Sequence, residues 1–265
     1  MKETADLTVI LTVWKRNHLD EQIQCLLKQT VRIANIWLLQ CGDYVQVEEI
    51  LARYPAITYV HSGIDLKYFG RFSLALHASS RYTWVLDDDI VPADNWVERC
   101  INTCEKYNAI VCSNGRIIPP EDYAPEIIKD QHYKRKYFIG DSPSLDAVNA
   151  CAADTIVDFG CSSYFFKSAW IKYFWEIWPY TFDTGEDMHL SATAKLLGNV
   201  VTVVPAQSSP EDTGNRKPVY SCDQHASYKM KEFIKQRARV LEYLIDEKHW
   251  SPKLWAQDAL LEGAT

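Results

Sequence analysis

The sequence predicts an α/β domain, a sheet flanked by helices on both faces. Three observations carry that expectation. Short apolar runs alternate with amphipathic stretches of helical period through the first 118 residues, one of those runs (Tyr82 to Leu86) stops abruptly at Asp87, Asp88 and Asp89, and the 265 residues are 47% hydrophobic and 24% charged, enough to bury a sizeable core. We expect a single domain over 1–265, with 1–118 forming a ligand-binding half and 119–265 a second half that covers and completes the site.

The elements follow in order. Leu7 to Trp14 reads as a strand, and Leu19, Ile23, Leu26 and Leu27 then recur at helical spacing. Ile33 to Cys41 is a second strand, followed by a helix that carries Val47, Ile50 and Leu51 and ends before Pro55; Ile57 to His61 is a third strand. Gly70 opens a helical segment running into the acidic strand. Asp94 is placed to cap a helix that presents Val97, Cys100, Ile101 and Cys104 on one face, and Ala109 to Ile118 returns as a strand. Between 119 and 157, Pro119, Pro120, Pro125 and Pro143 punctuate a polar, Tyr-rich region that reads as loops and short elements over the site. Regular structure resumes with a small-residue turn at Phe159 to Ser163 and a helix beyond it. A helix opening at Glu186, the strand from Asn199 to Ala206 and a last helix near 226–247, showing Met230, Phe233, Ile234, Leu241 and Leu244 on one face, complete the chain.

A net charge of −7 argues against a broad nucleic-acid footprint. No stretch is long and apolar enough for a membrane span and the N-terminus lacks a secretory layout, so a soluble, cytoplasmic protein is expected. The eight cysteines contain no CxxC pair and read as buried, reduced thiols.

Three adjacent carboxylates repel one another, so Asp87, Asp88 and Asp89 at a strand end ask for a cation with oxygen ligands. Strand alternation puts Asp87 and Asp89 on one side, ready to share a metal and a ligand's hydroxyls, with Asp88 facing another way. A hard cation on few carboxylates completes its shell with water and phosphate oxygens, which points to a diphosphate ligand. Neither a Walker-type GxxxxGK[ST] nor a GxGxxG sequence occurs, so the phosphates need that metal and nearby cations; Arg16 and Arg71 are placed to face the same end of the sheet. Glu186 and Asp187 open a helix, and a carboxylate there, beside the aromatic run Trp175, Trp178, Tyr180 and Phe182, suits a general base next to a sugar-stacking wall. His225 is a candidate metal or phosphate ligand, and Lys229, one turn later, a candidate partner of a leaving diphosphate. Lys231, Lys235, Arg237 and Arg239 read as a solvated basic face. The bland alternatives are a solvated acidic turn, helix-capping acids, core aromatics and a structural histidine.

In order and spacing these motifs resemble a GT-A glycosyltransferase, a Rossmann-like nucleotide-binding mixed sheet with a DxD cluster, and within that class the exostosin-like N-acetylhexosaminyltransferases. The segment Thr12-Val-Trp-Lys-Arg16 resembles their Thr-Tyr-Asn-Arg, which implies that Thr12 and Arg16 lie near the uracil and ribose. The stretch from Gly70 to Ile90 resembles their Arg-containing helix and Asp-Asp-Asp strand, implying a phosphate contact for Arg71, nucleotide-sugar contacts for Asp87 and Asp88, and metal contacts for Asp89 and Asp87. Phe159 to Phe174 is similar to their Gly-X-Ser-Phe-Phe turn and helix. Glu186-Asp187 matches their acidic pair, and His225 and Lys229 fall on their His and Arg. Lys229 departs from that pattern by losing a planar fork, and Leu38 to Asp43 lacks their Trp-Asn-Asn. The resemblance implies transfer from a UDP-sugar (UDP-xylose, a UDP-hexose or a UDP-N-acetylhexosamine) to a carbohydrate hydroxyl. Mn2+ or Mg2+ would bridge Asp89 and the diphosphate, and Trp178, Tyr180 and Phe182 would lie against the acceptor. Inversion, with Asp187 as base, is slightly favoured over the retaining outcome of the exostosin-like enzymes. Two other classes fit fewer features: a phosphatase related to haloacid dehalogenases, which carries its DxDx[TV] on the first strand, and a non-catalytic carbohydrate-binding protein.

Overall fold

The computed structural model describes residues 3–140, 151–230 and 232–255; Pro143 and Lys231 lie outside them. The first half runs β1 (Thr4–Val13), α1 (Leu19–Lys28), β2 (Arg32–Cys41), α2 (Glu48–Arg53), β3 (Thr58–Ser62), α3 (Gly70–Ala75), β4 (Tyr82–Leu86), α4 (Trp96–Tyr107) and β5 (Ala109–Arg116). The second half adds α5 (Gln131–Tyr137), β6 (Phe138–Ile139), β7 (Thr155–Val157), β8 (Phe159–Lys167), α6 (Ile171–Glu176), α7 (Glu186–Gly198), β9 (Val201–Val204) and α8 (Phe233–Glu242).

The strands form one sheet in the order β3-β2-β1-β4-β8-β5-β9-β7, with β6 pairing β5 off that path. The four strands β3, β2, β1 and β4 are parallel, as the β-α alternation predicts. β8 enters antiparallel between β4 and β5, so the stretches 1–118 and 119–265 share one sheet. Alternation along β1 divides the core: Leu7, Val9 and Leu11 pack with α1 and α4, while Ile10 packs on the other face with α3, α6 and α7. β4 is buried along its whole length, and Trp84, fully buried, donates its indole N–H to Ser163 Oγ at 2.8 Å. Burying each such large side chain contributes about 2 to 3 kcal/mol.

Four local expectations change. Asp94 does not cap α4: its carboxylate pairs with Arg216 at 2.7 Å, Asn95 takes the cap position without a side-chain bond, and Gln29 Oε1 satisfies the Val97 N–H from across the sheet's helix layer. α3 is only six residues long and stops at Ala75. The small-residue run Phe159 to Ser163 is part of β8 rather than a turn. It is bulged, because Ser162 adopts φ 66° and the register on β5 slips between Cys112 and Asn114. The bulge delivers the Ser162 carbonyl to the Asp87 N–H at 3.1 Å. The last helix is broken: a 3-10 turn at Ser227–Lys229 is followed by Glu232 at φ 69°, where the phase resets before α8 and the π-helical turn Tyr243–Glu247 that ends it. Met230 is consequently 42% exposed, and Val240, Leu241 and Leu244 form the buried stripe.

Candidate functional site

A cavity of about 620 Å³ opens beyond the carboxyl ends of β1 and β4, where a parallel sheet exposes its strand ends to ligand. Thr12, Arg16, Arg71, Asp87, Asp88, Asp89, Glu186, Asp187 and His225 all line it, so residues up to 213 positions apart meet as the motifs predict. The Thr12 hydroxyl bonds the Leu86 carbonyl at 3.4 Å, tying the end of β1 to the last residue before the acids.

Three arginines organise the lining, each between carboxylates brought from distant parts of the chain. Arg16, three residues past β1, donates from Nη1 to Asp88 at 2.8 Å and Asp89 at 3.0 Å, and from Nε and Nη2 to Asp223 at 2.9 and 2.7 Å. This fork holds the Asp223 carboxyl down to about 2. Arg71, buried in α3, bonds Asp87 and reaches Glu186 Oε1 at 2.8 Å. Arg237, on α8, grips both oxygens of Asp187 at 2.9 and 2.8 Å and bonds Glu126 at 2.5 Å. The acids past β4 lie in a turn, so they do not alternate as strand residues: Asp88 and Asp89 share Arg16, and Asp87 faces Arg71.

Glu186 and Asp187 start α7 after Gly185, whose φ of 83° is the left-handed conformation glycine tolerates. A Cβ there would also meet Val240 of α8 at 2.8 Å. Both acids are about 4% exposed, unlike ordinary solvated capping acids. Burial and the charge of Asp187 push the Glu186 carboxyl up to about 7. Beneath them His189, also buried, bonds the Phe174 carbonyl at 2.8 Å, and burial lowers its imidazole to about 4, so it is neutral and donates from Nε2.

The donor set fits a hard divalent cation. Eight carboxylates against five cationic side chains line the cavity, an excess of negative charge unsuited to a diphosphate unless a cation enters with it. Asp89 Oδ1 is buried and accepts no hydrogen bond, while burial and Asp88 push its carboxyl up to about 6. Among the described residues no three His, Cys, Asp or Glu side chains are disposed to hold a metal by themselves. One or two carboxylates completed by water and phosphate oxygens is the arrangement Mg2+ and Mn2+ commonly adopt.

Other expected residues sit elsewhere. Lys229 is absent from the lining: its ammonium bonds the Cys222 and Asp223 carbonyls at 2.7 and 3.0 Å, because the chain turns at Ser227–Lys229 instead of carrying it one helical turn beyond His225. Trp178, Tyr180 and Phe182 do not line the cavity either. Trp178 is 73% exposed, and Phe182 packs edge-on against Phe69 and Trp178 on the outer flank. The same segment turns Asp183 and Thr184 inward instead; Asp183 pairs with Lys67 at the rim, and Thr184 Oγ1 is buried without a partner.

Arg237, Glu126 and Asp223 were missed as site residues. Arg237 belongs to no solvated face: its side chain is 5% exposed. Glu126 sits in a segment without periodicity, and Asp223 was hidden beside His225. Tyr68 and Ser227, joined through their hydroxyls at 2.8 Å, tie the segment before α3 to the C-terminal loop across the cleft.

No helix among the described residues is long and apolar enough to cross a membrane. No curated protein sequence matches the chain. Among solved structures, the crystal structure of S. aureus TarS aligns over 96% of this chain and 44% of its own, at 13% identity and a TM-score of 0.48. This chain therefore spans under half the length of that structure's chain. The family model for glycosyl transferase family 2 matches residues 8–170, a span that takes in the strand-end arginine, the acidic run and the bulged β8. With its mixed sheet of GT-A type and its cleft beyond the strand ends, the chain belongs to glycosyl transferase family 2.

Proposed function

We propose that this glycosyltransferase moves a sugar from a UDP-sugar to a hydroxyl of a carbohydrate acceptor with inversion at the anomeric carbon. The observation that carries the reading is the convergence of two acidic groups on one cavity, the run after β4 and the pair that opens α7. The nucleotide would lie over the ends of β1 and β2, with Thr12 and Arg16 beside its ribose and base. Asp88 and Asp87 would contact the donor, and Arg71 its phosphates. Asp89, whose Oδ1 accepts no hydrogen bond, would hold Mn2+ or Mg2+, with Asp87 and His225 of the same lining as further candidate ligands, and the ion would supply positive charge for the departing diphosphate.

Asp187 would take the proton of the acceptor hydroxyl as its oxygen attacks the anomeric carbon. Oδ1 accepts from both Arg237 and the Met188 N–H, whereas Oδ2 accepts from Arg237 alone and keeps a lone pair for that hydroxyl. Glu186, tethered by Arg71, would set the electrostatic environment of the pair. Both acids are buried, so their charges are weakly screened by solvent. Thr184, with its unpartnered hydroxyl in the lining, is placed to bond a sugar hydroxyl, whereas the exposed Trp178, Tyr180 and Phe182 are left to a more distant part of a long acceptor.

Calorimetric titration with a panel of UDP-sugars, in Mn2+ and in EDTA, tests the reading, together with release of UDP and NMR of the product's anomeric configuration. Metal-dependent binding of one donor is expected. Binding of none of them would remove the UDP-sugar assignment, and a product of retained configuration would remove the base role of Asp187.

A further inference from the structure

We infer that Arg237 and Glu126 are positioning residues that act through Asp187: Arg237 fixes its orientation, and Glu126 supplies the second negative charge that keeps it a competent proton acceptor. The inference rests on the transfer reading above and deepens it.

The geometry is specific. Arg237 lies in the buried stripe of α8, and its planar fork meets both oxygens of Asp187 at 2.9 and 2.8 Å, a pairing that allows one orientation of the carboxylate. The Met188 N–H, 2.8 Å from Oδ1, fixes it from the helix side. A carboxylate held only by a buried guanidinium would be a poor base, because the ion pair stabilises its anion. Here Arg237 is shared: its Nε donates to Glu126 at 2.5 Å, from the segment between β5 and α5. The three groups carry two negative charges and one positive, a net of minus one in a site where the side chains of Arg237, Asp187 and Glu126 are 5%, 6% and 18% exposed. When Asp187 takes a proton, Arg237 keeps a full partner in Glu126, so protonation strands no buried cation.

Other titratable groups face the pair as well. Glu186, beside Asp187 on α7, feels the charges of Asp187 and Arg237 but makes its own ion pair with Arg71 of α3. Tyr164 and Cys161 of β8 and Cys112 of β5 also feel the Asp187 charge, and burial raises all three so that they stay neutral near pH 7. Arg116, at the end of β5, lines the same wall. Glu126, in direct contact with the Arg237 Nε, is the carboxylate best placed to offset its charge.

The test compares Glu126→Gln, Glu126→Asp and Arg237→Lys with wild type, reading kcat and KM against pH and confirming folding by melting temperature. Glu126→Gln should move the acidic limb of the kcat profile to lower pH by about one pH unit and lower the plateau about 3- to 10-fold, with donor KM unchanged within about 2-fold. Glu126→Asp should restore the limb. Arg237→Lys should lower kcat about 10- to 100-fold through lost orientation, again with little change in donor KM. A Glu126→Gln profile whose limb stays in place in a folded protein overturns the inference while leaving the transfer reading intact. Wild type without turnover of any sugar donor overturns both. If Glu126→Gln does not fold, Glu126→Asp and Arg237→Lys decide: a wild-type kcat in Arg237→Lys overturns the inference.

Discussion

The two sides of the cleft hold their acids in different ways. At the end of β4, Asp88 and Asp89 share the single guanidinium of Arg16, in a group whose side chains are 11 to 14% exposed and which opens onto the cavity. At the start of α7, Asp187 takes both terminal nitrogens of Arg237, whose Nε alone goes to Glu126; it is less exposed and is backed by the core of α7 and α8. A shared and partly open arginine can surrender its carboxylates to an incoming cation, whereas a bidentate buried pair keeps its geometry through a catalytic cycle. The first side is suited to exchange a ligand and the second to stay still.

Asp187→Asn should break that contrast most severely. Transfer should fall about 1,000-fold, within the range for loss of a positioned base, while calorimetry shows Mn-UDP affinity within about 2-fold of wild type. Equal loss of binding and transfer would make the two sides one unit.

The next effect concerns the support under α7. Because burial lowers His189 to about 4, folding keeps it neutral where the unfolded chain, near its ordinary 6.5, takes up a proton. Its contribution is present above about pH 6.5 and is lost as pH falls toward 4, up to about 3 kcal/mol. Urea unfolding of wild type and His189→Gln at pH 7 and pH 4.5 should show the stability difference between them shrinking at the lower pH; a difference independent of pH would remove the neutral-histidine account.

Asp89→Asn removes charge from the open side. Metal-dependent binding of UDP should weaken about 10- to 100-fold, with little change in melting temperature because Arg16 retains Asp88 and Asp223. The smallest effect is assigned to Lys229→Ala, which should change transfer by less than about 3-fold, since the ammonium faces loop carbonyls. A 100-fold loss there would bring Lys229 back into the site.

What could be read from the sequence follows the same division. The acids after β4, Arg16 and Arg71 announce themselves through local pattern: an apolar run that ends in charge, and cations at the ends of neighbouring elements. The Glu186-Asp187 pair was legible because it opens a periodic helix. Arg237 was not, because Lys235, Arg237 and Arg239 alternate along α8 and only the helix phase tells which points inward. That phase is reset at Glu232, where a positive φ breaks the helix expected over 226–247. The aromatic run at 178–182 misled for the opposite reason: its composition suits sugar stacking, while its placement depends on a packing of Phe182 on Phe69 that no local spacing encodes. The bulge at Ser162 reads as a turn because small residues in a strand carry the signature of one.

The bond between Arg16 and Asp223 closes a sequence separation of 207 residues, and Arg237 meets Asp187 and Glu126 across 50 and 111. Contacts of such span are among the slowest to form, because the chain between them must first be ordered. On a ribosome, β1, β2, β3 and β4 emerge and can pair long before α8 leaves the tunnel. Until then the seven carboxylates gripped by the three arginines lack part of their counter-charge, and the cleft has neither its bridge nor its clamp. The site is thus completed late in synthesis: the sheet precedes it, and Asp187 lacks its clamp until α8 docks.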